Sequence, residues 1–113
     1  MRFLMLTKTD PDLPLTPPDE KMFAEMGKLV EELSKAGVLL ATGGLEQGGV
    51  RVRSKGGEIS MTDGPFPEAK EVVVSFALLD VRDRAEAVEL SRRFWKIAGD
   101  GAGEIRQVFG PEG

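Results

Sequence analysis

Asp63 is the residue of this chain whose type and position best suit acid–base chemistry. It ends a strand-like run, and the stiff pair Gly64-Pro65 and the aromatic Phe66 follow it directly. A carboxylate held rigidly beside an aromatic ring is suited to act as a general acid or base. The alternative is structural: Asp63 caps the turn through nearby backbone amides, and Phe66 anchors the turn in the core. Turn chemistry alone explains Asp, Gly and Pro in this order, so the structural role is favoured.

Two cations could bind an anionic ligand. Lys70 closes the same proline-rich segment, where it either neutralises Glu68 in a solvated charge cluster or faces a pocket. Arg106 shares a face of the last strand-like run with Val108, so it projects past the sheet edge, pairs with a buried carboxylate, or points into the barrel and binds an anion. For both residues we favour the pairing role.

Other residues offer weaker signals. Trp95 is the lone tryptophan, and its helical position predicts a core or dimer contact, with a ligand platform as the alternative. Asp10 and Asp12 resemble hard-metal ligands, but Pro11 separates them and few other oxygen ligands are near. We therefore expect a polar loop there, with no metal and no cofactor. The glycine pairs at 43–44 and 48–49 do not lie between a strand and a long helix, so they predict no phosphate-binding loop.

The composition removes several classes of mechanism. The 113 residues include no histidine and no cysteine, which excludes imidazole bases, thiolate nucleophiles and the usual zinc sites. Because tyrosine is also absent, acid–base chemistry falls to Asp, Glu or Lys. A net charge of -4 without a basic face predicts no direct nucleic-acid binding. The short apolar run at the N-terminus predicts neither a membrane span nor a signal peptide, so we expect a cytoplasmic protein.

The hydrophobic pattern predicts one domain, residues 1–113, of the α+β class. The order β-α-β, hairpin, β-α-β is that of a ferredoxin-like fold with an inserted hairpin. Thr16 with Asp19 predicts a capping box for the first helix, and Asp83 with Glu86 opens the second. The predicted elements are a strand at 2–8, a helix ending at 36, a strand at 38–41, a half-exposed hairpin turning at 55–57, a strand at 72–79, a helix ending at 98 and a strand at 104–109.

The strand at 72–79 is apolar on both faces apart from Ser75. Phe76 and Leu78 lie on one face, and Ala77 and Leu79 lie on the other. Because two helices of this plan can cover only one face of the sheet, the second face needs another cover. An identical chain is the simplest cover, so the sequence predicts a homodimer.

The segment from Thr62 to Glu71 closely resembles the signature of the DGPF (DGPFAETKE) proteins of the YCII-related family. It departs only at 67–69, where Pro-Glu-Ala stands in place of Ala-Glu-Thr. The resemblance extends through the helix and strand at 26–39 and the strand at 103–109. It implies a dimeric α+β barrel. Some relatives occur beside or fused to extracytoplasmic-function sigma factors, which implies a link to sigma-factor regulation.

Two functions remain open. The favoured one is a non-catalytic homodimer that binds a small polar or anionic ligand or acts as a regulatory interaction module, with Phe66, Lys70, Arg106 or Trp95 at the ligand. The alternative is a small-molecule enzyme of the lyase or isomerase type, with Asp63 as acid or base in the barrel pocket. The histidine–aspartate pair proposed as catalytic in the wider family cannot be carried over, because the chain has no histidine. A deep pocket at Asp63 would favour the enzyme, and a shallow pocket with an exposed apolar patch would favour the module.

Overall fold

The computed structural model describes residues 1–68 and 71–111. Within them the order of elements is the predicted one, and the α+β class is confirmed. The elements are β1 (Arg2–Lys8), α1 (Glu20–Lys35), β2 (Leu39–Gly44), β3 (Val50–Lys55), β4 (Glu58–Asp63), β5 (Val73–Asp80), α2 (Arg84–Ala98) and β6 (Ala102–Val108).

Four of the strands form an antiparallel sheet in the order β2-β5-β1-β6, and β3 and β4 form a separate two-stranded sheet. In the register of the larger sheet, Leu4 lies opposite Leu78 and Arg106, and Leu6 lies opposite Phe76 and Glu104. Because side chains alternate between the faces of a strand, these residues share one face of the sheet. We call it the helix-free face, since the helices pack on the other side.

The core lies between the helices and the opposite face of this sheet. Phe3 of β1 and Leu79 of β5 are cross-strand neighbours and are almost completely buried. Ala87 of α2 packs against them, and α1 adds the buried Leu29 and Leu33. The alternation predicted for β5 is therefore confirmed, with Leu79 in the core and Phe76 and Leu78 on the helix-free face.

The predicted helix caps are confirmed for α2 and wrong for α1. The Asp83 carboxylate accepts a hydrogen bond from the Glu86 amide at 2.9 Å. In α1 the cap is Asp19, whose carboxylate accepts from the Met22 amide at 2.8 Å. Thr16 instead accepts a hydrogen bond from the Asp100 amide at 3.1 Å. The reason is that each of the two prolines after Thr16 disfavours helical geometry in the residue before it, so the helix begins only after them.

Both edge strands of the sheet run through glycines where the sequence predicted loops. β2 continues to Gly44, and β6 begins at Ala102 and includes Gly103. A Cβ on Gly43 would lie 3.4 Å from the Phe76 ring, and a Cβ on Gly103 would collide with the Leu6 carbonyl oxygen. These glycines permit close approach to the neighbouring strand, so the ladder continues through them.

The predicted hairpin turn is confirmed at Gly56-Gly57. The prediction that the hairpin is half-exposed is wrong. All residues of β3 and β4 are exposed, on both faces of the two-stranded sheet.

Within residues 1–68 and 71–111, neither helix is long and apolar enough to cross a membrane.

Candidate functional site

The turn at Asp63-Gly64-Pro65 is built by contact with the linker between β2 and β3. The Gly64 amide donates a hydrogen bond to the Gly49 carbonyl at 2.8 Å. A Cβ on Gly64 would lie 2.6 Å from the Cα of Gly48, so the two glycine backbones touch. The position of the turn therefore depends on having glycine, which has no side chain, at both residues.

Asp63 itself lies exposed at the end of β4, opposite Val50 in the hairpin register. Among the described residues, its carboxylate makes no hydrogen bond and no ion pair. Backbone contacts of the two glycines hold the turn there. Within the described part of the chain, the Asp63 carboxylate has neither a capped amide nor a proton-transfer partner.

Phe66 meets a residue that the sequence did not single out. The guanidinium carbon of Arg51, on β3, lies 3.9 Å from the centre of the Phe66 ring. The same guanidinium donates to the Glu68 carboxylate at 2.7 Å. A hydrogen bond from its own backbone amide and this bond from Arg51 lower the pKa of Glu68. Arg51 thus neutralises Glu68, the role considered for Lys70, which lies outside the described residues.

A cleft of about 490 Å³ opens beside this turn. The Thr9 hydroxyl on its wall accepts a hydrogen bond from the Val72 amide at 2.9 Å, and its own proton is left to donate. The cleft combines an aromatic ring and valine side chains with a carboxylate, an amide and a hydroxyl. It is lined by Thr9, Gln47, Gly48, Pro65, Phe66, Glu71, Val72, Val73 and Val74.

A charged cluster stands next to the cleft through Glu71. The Lys8 ammonium lies 2.8 Å from a carboxylate oxygen of Glu71 and 2.8 Å from one of Glu104. Arg106 donates to the other oxygen of Glu104 at 2.8 Å. Hydrogen bonds to Glu104 and then Glu71 raise the pKa of Lys8, and hydrogen bonds from Lys8 and then Arg106 lower the pKa of Glu104. Arg106 is therefore paired with a carboxylate as expected, but Glu104 is half-buried and not the buried partner that the sequence predicted.

Lys8 and Glu104 were not among the residues selected from the sequence. A signal existed for Lys8, because it follows Leu4 and Leu6 in the same alternation and so places a cation on an apolar face. The partner could not be inferred, since Glu104 is 96 residues away.

Trp95 is placed away from the cleft lining. Its ring meets that of Phe94 edge to face, with centroids 5.1 Å apart at 86°. A Cβ on Gly101 would lie 2.5 Å from the indole, so Trp95 packs over the loop before β6. It is half-buried and lines a shallow depression with Arg92 and Lys96.

Two further features are weaker candidates for a site. A mostly apolar cavity of about 110 Å³ lies between the helices and the sheet. It is smaller than the roughly 150 Å³ that holds a benzene molecule. In the loop after β1, the Asp10 carboxylate accepts from the Asp12 amide at 2.8 Å, which is turn geometry. Over residues 1–68 and 71–111, acidic side chains form no group of three that could hold a metal ion.

Two comparisons with known proteins bear on the family of this chain. A search of the curated proteins found no match. The family model described as the YCII-related domain matches residues 1–110, which is nearly the whole chain. This chain belongs to the YCII-related domain family.

Proposed function

We propose that this protein is a non-catalytic homodimeric module that binds a small polar ligand beside the Asp63-Gly64-Pro65 turn. The observation that carries the proposal is the position of Asp63, which is exposed on the hairpin and is not among the residues lining the cleft. A cleft that Asp63 does not line, together with exposed apolar surface, favours a binding module, because catalysis needs reactive groups that converge on one site.

The dimer forms through the helix-free face. Leu4, Leu6, Phe76 and Leu78 on this face are half-buried in a single chain, without a helix over them. The strand order β2-β5-β1-β6 with both helices on one side supports a ferredoxin-like plan. Two such sheets packed face to face form a dimeric α+β barrel and remove this apolar surface from water.

The ligand carries a neutral or cationic polar group next to a small apolar part. Phe66 and the valines supply apolar contact, while Glu71, Gln47 and Thr9 supply polar atoms. The neighbouring cations Lys8 and Arg106 are already bonded to carboxylates, which disfavours an anion at this point. An anionic ligand bound by Lys70 stays a prediction from the sequence, since Lys70 lies outside the described residues. A cytoplasmic setting and a link to sigma-factor regulation, both expected from the sequence, belong to the same proposal.

One observation favours the alternative, an enzyme that uses Asp63 as acid or base. Asp63 lies on the same face of the hairpin as Val50 and Met61, so a partner packed on that face would remove water from the carboxylate. The enzyme requires that contact, whereas the binding module does not.

Light scattering tests the dimer. At about 10 µM, where a complex with a nanomolar to low-micromolar Kd is populated, we expect about twice the 12.2 kDa chain mass. Leu6→Glu places a charge on the helix-free face and should give monomers. The control, Leu13→Glu, makes the same change on an exposed loop and should stay dimeric. A folded wild-type monomer would reject the dimer.

Native mass spectrometry of protein purified from its original host tests the ligand. We expect a bound small molecule that Phe66→Ala loses and that Phe109→Ala, a change at an exposed phenylalanine, retains. Retention by both variants would show that the molecule binds elsewhere. Turnover of the released molecule that Asp63→Asn abolishes would establish the enzyme instead.

A further inference from the structure

We propose that the β3–β4 hairpin, residues 50–63, is an arm that packs its apolar face against a second copy of this chain. The inference rests on the proposed homodimer and adds the element that makes the contact. It also explains why a hairpin without a core of its own carries large apolar side chains.

One face of the arm is a continuous apolar stripe. In the hairpin register Val52 lies directly opposite Met61, with Val50 and Ile59 on the same face at either end. All four side chains are exposed: Val50 by 55%, Val52 by 57%, and Ile59 and Met61 by 68% each. Single exposed apolar residues are ordinary on a protein surface, but a paired stripe along two strands marks an interaction surface. An isolated two-stranded hairpin is also marginally stable in water, so the arm gains from a cover.

The chain exposes more surface than a compact monomer of the same mass. The chain exposes 8285 Å², whereas a compact monomer of this mass exposes about 6,100 Å². The excess of about 2,200 Å² is larger than the roughly 800 Å² per partner of a standard interface and is of the size that obligate homodimers bury. The radius of gyration, 16.2 Å, is likewise above the roughly 13 Å of a compact domain of this length.

The size of this excess selects a second copy as the partner, because it matches the area that an obligate homodimer buries. The opposite face of the arm presents Arg51, Arg53 and Lys55, which are exposed. These cations point away from the stripe and stay in water, so apolar contact along the stripe holds the two copies together.

Neighbouring residues on opposite faces of β4 provide the test. Ile59→Glu places a charge in the stripe, and Ser60→Glu places the same charge on the basic face. Both residues are exposed in the single chain, so neither change disturbs its core. By sedimentation velocity over a concentration series, we expect Ile59→Glu to raise the dimer Kd at least about tenfold, and Ser60→Glu to change it by less than about threefold. Amide exchange in residues 50–63 should slow as the wild-type concentration rises.

The outcomes separate the two proposals. If Ile59→Glu keeps the wild-type Kd while Leu6→Glu dissociates the dimer, the arm proposal is overturned and the homodimer stands. If the wild type is a monomer, both are overturned. If that monomer binds vesicles of anionic phospholipid and Ile59→Glu abolishes the binding, the stripe is a membrane contact, and the arm proposal is again overturned.

Discussion

Gly64 and Gly48 pack backbone against backbone, although they belong to different segments of the chain. A Cβ on Gly64 would lie 2.6 Å from the Gly48 Cα, and one on Gly48 would lie 3.3 Å from the Gly64 carbonyl carbon. Since Gly64 also donates to the Gly49 carbonyl, this contact joins the linker after β2 to the turn after β4. The cleft wall formed by Gly48, Pro65 and Phe66 depends on it.

Gly64→Ala should therefore lower the free energy of unfolding by about 1–3 kcal/mol, because the added methyl group overpacks a backbone contact. Gly27→Ala is the matched control, since a Cβ there would meet nothing within 4 Å. In the middle of α1 it should stabilise the protein by up to about 1 kcal/mol. Urea denaturation at one fixed protein concentration measures both. Equal effects of the two changes would show that the contact with Gly48 is not tight.

Asp19→Ala should cost about 1 kcal/mol of stability, because it removes the side-chain cap of α1. Asp19→Asn keeps an oxygen acceptor and should cost only a few tenths of a kcal/mol. Urea denaturation and the loss of helical circular dichroism check both variants. If Ala and Asn cost the same, the charge of Asp19, which favours the helix N-terminus, matters more than the hydrogen bond.

The Lys8–Glu104–Arg106 cluster should make stability fall on acidification. The pKa of Glu104 is lowered in the folded protein, so its contribution is present above its unfolded pKa and is lost as the pH falls through the folded value. The pKa of Lys8 is raised, so its contribution is present at neutral pH and is lost only as the pH rises through the folded value. Glu104→Gln should flatten the acid limb of stability against pH, measured by urea unfolding. The control variant is Glu58→Gln, at an exposed position on the hairpin. If Glu104→Gln and Glu58→Gln gave the same curve of stability against pH, the prediction would be contradicted.

Asp63→Asn and Asp63→Ala should each change stability by less than about 0.5 kcal/mol, because the carboxylate is exposed and makes no hydrogen bond among the described residues. Thermal or urea unfolding measures this directly. A cost of about 1 kcal/mol for Ala but not for Asn would instead identify Asp63 as a turn cap. In the proposed binding module, neither change abolishes ligand binding.

Local patterns in the sequence were enough to predict much of the fold. The bounds of β1, the cap of α2 at Asp83, the turn at Gly56-Gly57 and the two-faced alternation of β5 were all predictable. Each depends on neighbours within about one helical turn or on the two-residue period of a strand, so the information lies within a short segment.

The candidate site was decided by the tertiary structure. Arg51 over Phe66, Lys8 between Glu71 and Glu104, and Gly48 against Gly64 join segments that are distant in sequence. The sequence alone supplied Asp63 and Phe66 but not these partners. Which distant residues meet depends on strand register and on the path of the β2–β3 linker. A shift of one residue in a strand would turn each of its side chains to the other face, so non-local contacts cannot be derived from local periodicity.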